Sequence, residues 1–197
     1  MQLTVLQAWE ILAVVLAVAY LVLAIRQNIW CWAAAAISTV LYLFIMYHSR
    51  LYMESLLQLF YLAMAVYGWY SWSHPGRGRA DAEGELKVTT WPLRRHFFAI
   101  GSVLLLVYIS GDLLARYSDA ALPHLDSFTT WGAIVATFMV TRKILENWFY
   151  WFVIDAVSIG LYISRDLFFT AALFGAYLVM IVIGYRSWRA SMTETAA

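Results

Sequence analysis

Seven long apolar runs, at about 6–25, 29–47, 51–72, 97–116, 126–142, 146–163 and 167–187, take up most of the chain. Each is close to the roughly 20 residues an α-helix needs to cross the hydrocarbon core of a bilayer. Lipid offers no partner to a backbone N–H or C=O, so runs of this kind must be helical. The prolines respect them: Pro75, Pro92 and Pro123 all fall between runs, where a missing N–H does no harm. The chain is therefore expected to be an all-α integral membrane protein with seven transmembrane helices. Its charged residues, 13% of 197, are about half their share in soluble domains. The first ten residues carry no basic stretch and no small-residue cleavage site follows, so the first run is read as a retained helix rather than a removable signal.

The seven spans sort the basic residues onto two sides. Arg26, Arg77, Arg79, Lys87, Arg94, Arg95, Arg142, Lys143, Arg186 and Arg189 share one side, and only Arg50, Arg116 and Arg165 the other. Basic loops stay in the cytoplasm. The N-terminus is therefore expected outside and the C-terminus inside. Arg142 and Lys143 read as topology determinants with lipid contacts.

An internal repeat cuts the chain in a second way. NIWCW at 28–32 echoes NWFYW at 147–151, and Ser38 and Tyr42 echo Ser158 and Tyr162. One helix further on, GWYSW at 68–72 echoes GYRSW at 184–188, and Met64 echoes Met180. Helices one to three thus read as a copy of helices five to seven, with the fourth between them. An odd linking helix gives both copies the same orientation, which makes a parallel repeat of 3+1+3 helices. The boundaries are 1–72 for the first repeat, 73–125 for a cytoplasmic loop and the linker helix, and 126–197 for the second repeat and a tail. Transporters with repeats place their solute at the repeat interface near mid-membrane.

Polar side chains inside a span are costly and are functional-site candidates by default. The sixth span carries the densest set. Trp148, Trp151, Asp155, Ser158 and Tyr162 follow at spacings of three, four, three and four, which puts them on one helical face. An acid, two indoles, a hydroxyl and a phenol form one wall of a site for a small, flat, cationic solute, held by charge and by cation–π contact. Asp155 has a structural alternative, a hydrogen-bonded acid locking two helices. Trp148 has another, as an interfacial anchor. The third span offers Glu54 and Gln58 at i, i+4, with Tyr61 three residues on. Glu54 lies within a turn of the outer end and is as readily a headgroup-level acid. Gln58, about 10 Å deep, suits a ligand amide or hydroxyl. Trp30, Trp32, Ser38 and Tyr42 in the second span either complete the site or pack helices. Asp112 is expected to pair with Arg116 at i, i+4.

No GxSxG, HExxH or glycine-rich phosphate loop is present, so neither an enzyme nor a nucleotide cofactor is expected. The single cysteine, Cys31, and four scattered histidines offer no metal site. A net charge of +1 gives no basic footprint for nucleic acid.

The run from Thr141 to Trp151, TRKILENWFYW, the LYMESLLQ run from Leu51 to Gln58, and YGWYSW from Tyr67 to Trp72 together resemble the PnuC family of vitamin transporters. The resemblance covers nearly the whole chain. It implies a 3+1+3 fold like that of the SWEET sugar carriers, in a bacterial inner membrane protein. It further implies uptake of nicotinamide riboside, or of thiamine in some relatives, by facilitated diffusion, with trapping by a separate intracellular kinase, and assembly as a homotrimer. On this chain the family's WxxW pair is Trp148 and Trp151, its preceding polar residue Asn147, and its helix-three amide Gln58. Asp155 stands where some relatives have Asn, and an acid there favours a cationic ring.

Overall fold

Among the described residues seven helices run in chain order: α1 (Val5–Ile25), α2 (Trp30–His48), α3 (Tyr52–Ser73), α4 (Leu93–Tyr117), α5 (Pro123–Thr141), α6 (Asn147–Ile163) and α7 (Phe168–Glu194). The computed structural model describes residues 5–48, 52–76, 79–81, 84–117, 122–163 and 168–194. Every apolar run expected to be a helix is one. Two boundaries differ instructively. α4 begins four residues earlier than its apolar run, because Pro92 sets the start and Leu93, Arg94, Arg95 and His96 then complete the first turn. α5 likewise starts on its proline. Among the described residues, Leu93–Tyr117 and Ala171–Thr193 meet both the length and the hydropathy needed to cross a membrane, and Ile11–Ile25 and Trp30–Ile45 are shorter apolar stretches.

The chain divides into two compact units, Met1–Lys87 with Ala190–Ala197, and Val88–Arg189. In the first, α2 packs between α1 and α3. In the second, α5 packs between α4 and α6, and α6 meets α7 through paired aromatic rings.

The two units repeat the same local devices at positions 116 residues apart. Both α1 and α5 end in a Schellman motif. In one, Asn28 N–H donates to Leu23 C=O at 2.9 Å and Gln27 N–H to Ala24 C=O at 3.0 Å. In the other, Ile144 N–H donates to Met139 C=O at 2.9 Å and Lys143 N–H to Val140 C=O at 3.0 Å. The left-handed residue is not glycine in either case: Gln27 has φ 54° and Lys143 φ 47°. That conformation costs an L-residue about 1–2 kcal/mol. Gln27 offsets some of it by donating its Nε2 to Ser191 Oγ at 2.8 Å within the first unit. Lys143 is buried, 2% exposed. It does not make the lipid contact expected from the sequence, because the backbone of Thr89 lies over its turn: Thr89 N–H donates to Lys143 C=O and Leu145 N–H donates to Thr89 C=O.

A second device joins neighbouring helices. Trp32 of α2 meets Trp72 of α3 edge to face, with centroids 5.4 Å apart at 86°. Trp148 of α6 meets Trp188 of α7 at 5.4 Å and 84°. Beneath each first indole lies a glycine, Gly68 or Gly184, where an added Cβ would stand 2.4 Å from the ring. The matching register therefore pairs Trp32 with Trp148. It differs by three residues from the one that NIWCW and NWFYW suggest by letters alone.

Two expectations on α2 and α4 resolve within this packing. Ser38 donates its hydroxyl to Ala13 C=O at 2.8 Å, tying α2 to α1. Asp112 pairs with His124, at 3.2 Å, and not with Arg116. The absent side chain of Gly111 lets the imidazole in, since a Cβ there would lie 2.5 Å from it.

Candidate functional site

α6 is two-faced, as its sequence requires. Phe149, Phe152, Val153, Ala156, Gly160 and Ile163 lie exposed and are apolar, the surface expected toward lipid. Asn147, Trp148, Ile154, Asp155 and Ser158 are buried, and Trp151 is half-buried. The stripe of indoles and acid thus turns inward. From Trp148 to Ser158 it rises about 15 Å, half of a hydrocarbon core of about 30 Å.

Each member of the stripe meets a different environment. Trp148, 3% exposed, is fixed between Gly184 and Trp188, yet its Nε1 has no hydrogen-bond partner among the described residues. Asn147 donates Nδ2 to Ile144 C=O at 2.7 Å, while its Oδ1 has no partner among the described residues. An unfilled donor and an unfilled acceptor therefore sit on adjacent residues at the start of α6. Burying either without a bond costs about 1–3 kcal/mol. Ser158 is satisfied by its own helix, donating to Ile154 C=O at 2.8 Å. Asp155 is 6% exposed, and neither a hydrogen bond nor an ion pair engages it among the described residues. A carboxylate so placed needs a proton or a cation to balance it.

In the first unit Gln58 and Tyr61 of α3 are both half-buried. The side chain of Glu54 lies outside the described residues. Of the stripe read from the sequence, Trp148, Asp155 and Ser158 are buried and Trp151 is half-buried, Asn147, taken from the family resemblance, is buried beside them, and the side chain of Tyr162 lies outside the described residues. The sequence reading missed Ser127 of α5, a buried hydroxyl whose Oγ lacks a partner among the described residues. The signal for Ser127 was weak, since serine is common at the start of a helix. Trp32, read from the sequence as either completing the site or packing helices, is buried with its Nε1 unpartnered among the described residues, in the position that Trp148 fills in the other unit.

The nicotinamide mononucleotide transporter family matches residues 7–190. The nicotinamide riboside transporter PnuC of Escherichia coli is 28% identical over 185 residues, covering 80% of this chain and 75% of that protein. The riboflavin/roseoflavin transporter RibM of Streptomyces davaonensis is 26% identical over 174 residues, covering 85% and 78%. In fold, the chain is similar to the crystal structure of the vitamin B3 transporter PnuC, with a TM-score of 0.72 and 23% identity over 93% of this chain and 81% of that one. A match that runs nearly end to end, over the same seven helices that carry the buried acid and the paired indoles, leaves one conclusion: the chain belongs to the PnuC family of transporters.

Proposed function

We propose that this chain takes up nicotinamide riboside across a bacterial inner membrane by facilitated diffusion, with a separate intracellular kinase trapping the product. The observation that carries the reading is Asp155, a carboxylate buried on the inner face of α6 with no balancing partner among the described residues, in line with the half-buried Trp151. A pyridinium ring supplies the missing positive charge and a flat face for the indole, a contact worth about 0.5–2 kcal/mol. Asn147 Oδ1 and Trp148 Nε1, an acceptor and a donor without partners, match the NH₂ and C=O of a carboxamide. Ser158 belongs to the α6 wall, and Tyr162 of α6 with Glu54, Gln58 and Tyr61 of α3 are the further residues assigned by sequence to solute recognition. A phosphorylated nucleotide would meet repulsion from Asp155, so the dephosphorylated riboside is the solute.

The paired devices at an interval of 116 residues support two parallel three-helix repeats, 1–72 and 126–197, joined through the loop and helix of 73–125. Like-built halves that rock in turn give alternating access without a second protein. The loop charges support an N-terminus outside and a C-terminus in the cytoplasm. Assembly as a homotrimer is part of the same proposal. Riboflavin is the second reading, favoured by the likeness to RibM, and thiamine a third, which like nicotinamide riboside has a cationic ring.

Liposomes containing only this protein are expected to accumulate radiolabelled nicotinamide riboside saturably above empty vesicles. Binding without flux would make the chain a receptor that needs an energising partner. Neither binding nor flux, with riboflavin transported instead, would move the assignment to the second reading.

A further inference from the structure

We propose that Glu146 is a positioning residue for solute recognition: it holds an extended strap, residues 89–91, that sets the carboxamide of Asn147. The inference rests on the reading of Asn147 Oδ1 as a partner of the solute's own carboxamide. Every group in it belongs to the second unit. The strap is extended for local reasons. Val88, Thr89 and Thr90 are β-branched, which suits a strand, and Pro92 disfavours the helical region for Trp91. Thr89 bridges Ile144 in parallel: its N–H donates to Lys143 C=O at 3.0 Å, and its C=O accepts the Leu145 N–H at 2.8 Å. Gripped on both sides, Ile144 has its own carbonyl fixed. That carbonyl accepts the Asn147 N–H at 3.1 Å and Asn147 Nδ2 at 2.7 Å. The side-chain amide is thereby oriented, and its Oδ1 is left as a buried acceptor without a partner among the described residues.

Glu146 closes the far end of the strap, where its carboxylate accepts the Trp91 N–H at 3.2 Å. The residue type is informative. Glu146 stands in the N-cap position of α6, its carbonyl accepting the N–H groups of Phe149 at 3.1 Å and Tyr150 at 3.4 Å. Short side chains that fold back on the helix, those of Ser, Thr, Asp and Asn, serve best there. Glutamate is not among them, and here its longer side chain goes to the strap instead. Trp91 also lies 5.6 Å from the ring of His96, which is hydrogen-bonded to the Tyr150 hydroxyl at 3.0 Å, so the strap, α4 and α6 are joined at one corner. The brace has a chemical consequence. An asparagine free to turn its amide would offer a donor where it now offers an acceptor. Held by Ile144, it presents oxygen, the atom that an incoming NH₂ requires.

The test compares nicotinamide riboside with ribosylpyridinium, the same cation without its carboxamide, by quenching of tryptophan fluorescence in the purified protein. The unaltered protein is expected to prefer the riboside by about tenfold, the worth of one or two hydrogen bonds. Glu146→Ala should cut that preference below threefold, while affinity for ribosylpyridinium, held by Asp155, changes by less than threefold. Glu146→Gln keeps an acceptor for Trp91 and should restore the preference. Asn147→Ala should remove it, and adding Glu146→Ala should then change it no further. An undiminished preference in Glu146→Ala overturns the proposal. Equal weakening toward both ligands overturns it too, and makes Glu146 a brace for the fold alone. Failure of the underlying reading looks different: the unaltered protein would bind neither cation, or both alike, and the proposal would go with it. Should Glu146→Ala not fold, hydrogen exchange on the unaltered protein decides. Coupling between sites is reciprocal, so the N–H groups of Thr89, Trp91 and Leu145 should exchange at least fivefold more slowly with saturating riboside than with saturating ribosylpyridinium. Equal exchange in the two complexes sinks the idea.

Discussion

Asp155→Asn is expected to weaken nicotinamide riboside binding at least thirtyfold, read as loss of ligand-induced quenching of tryptophan fluorescence. The carboxylate is 6% exposed and unengaged among the described residues. Removing one member of a buried charge pair costs about 2–5 kcal/mol, and each 1.4 kcal/mol is tenfold in affinity. Asparagine keeps the shape and one acceptor oxygen, so the loss reports charge and not volume. Trp151→Ala should follow with a smaller loss, about threefold to thirtyfold, the range of a single cation–π contact. A neutral vitamin provides the control. If riboflavin binds, Asp155→Asn should change its affinity by less than threefold, since a flat uncharged ring gains nothing from the acid. One outcome ends the reading: Asp155→Asn binding the riboside normally while its thermal unfolding midpoint falls. The acid would then be a lock between helices, and charge recognition would have no residue to carry it.

The spans were legible because the physics behind them is local. An apolar run of 20 residues in lipid has one way to satisfy its backbone, and a proline between runs marks where the helix ends. That is why every expected span is a helix among the described residues, while α7 runs seven residues past its apolar run and α4 starts four before its own: Arg94 and Arg95 look like loop by hydropathy, but Pro92 decides. The inward face of α6 was legible for a related reason, since an acid at i+4 from one indole and i+7 from another has a side that lipid will not accept. Tryptophan was the weak letter. It serves as anchor, ligand and packing residue alike, so matching NIWCW to NWFYW by indoles set α2 and α6 out of register. The register is set by what each indole rests on. Gly68 and Gly184 are 116 residues apart, as are Trp32 and Trp148, and that relation needs two helices at once. The burial of Lys143 and the pairing of Asp112 with His124 were hidden for the same reason, because each depends on a neighbour remote in sequence.

Gly184→Ala is expected to lower the thermal unfolding midpoint in detergent by several degrees, and Gly68→Ala by a similar amount. The added Cβ at each site would fall 2.4 Å from an indole, that of Trp148 or Trp32. No real contact is so short, so the ring must move. Neither ring is a loose surface side chain: Trp148 is pressed against Trp188, and Trp32 against Trp72. Overpacking of this sort costs about 1–3 kcal/mol. Gly175→Ala and Gly160→Ala provide the contrast, since nothing lies within 4 Å of a Cβ at either. There the loss of chain entropy in the unfolded state should leave stability unchanged or raise it by about 0.4–1 kcal/mol. Trimming the ring should rescue the clash, so Trp148→Phe combined with Gly184→Ala should be more stable than the sum of the single changes predicts. Because Trp148 heads the stripe that includes Asp155, displacing its ring should also weaken riboside binding, while Gly68→Ala, acting on the equivalent indole of the first unit, tests whether both units hold their helices by the same wedge. Equal stability of all four alanine variants would show that the indoles yield freely, and the packing argument for both units would fall with it.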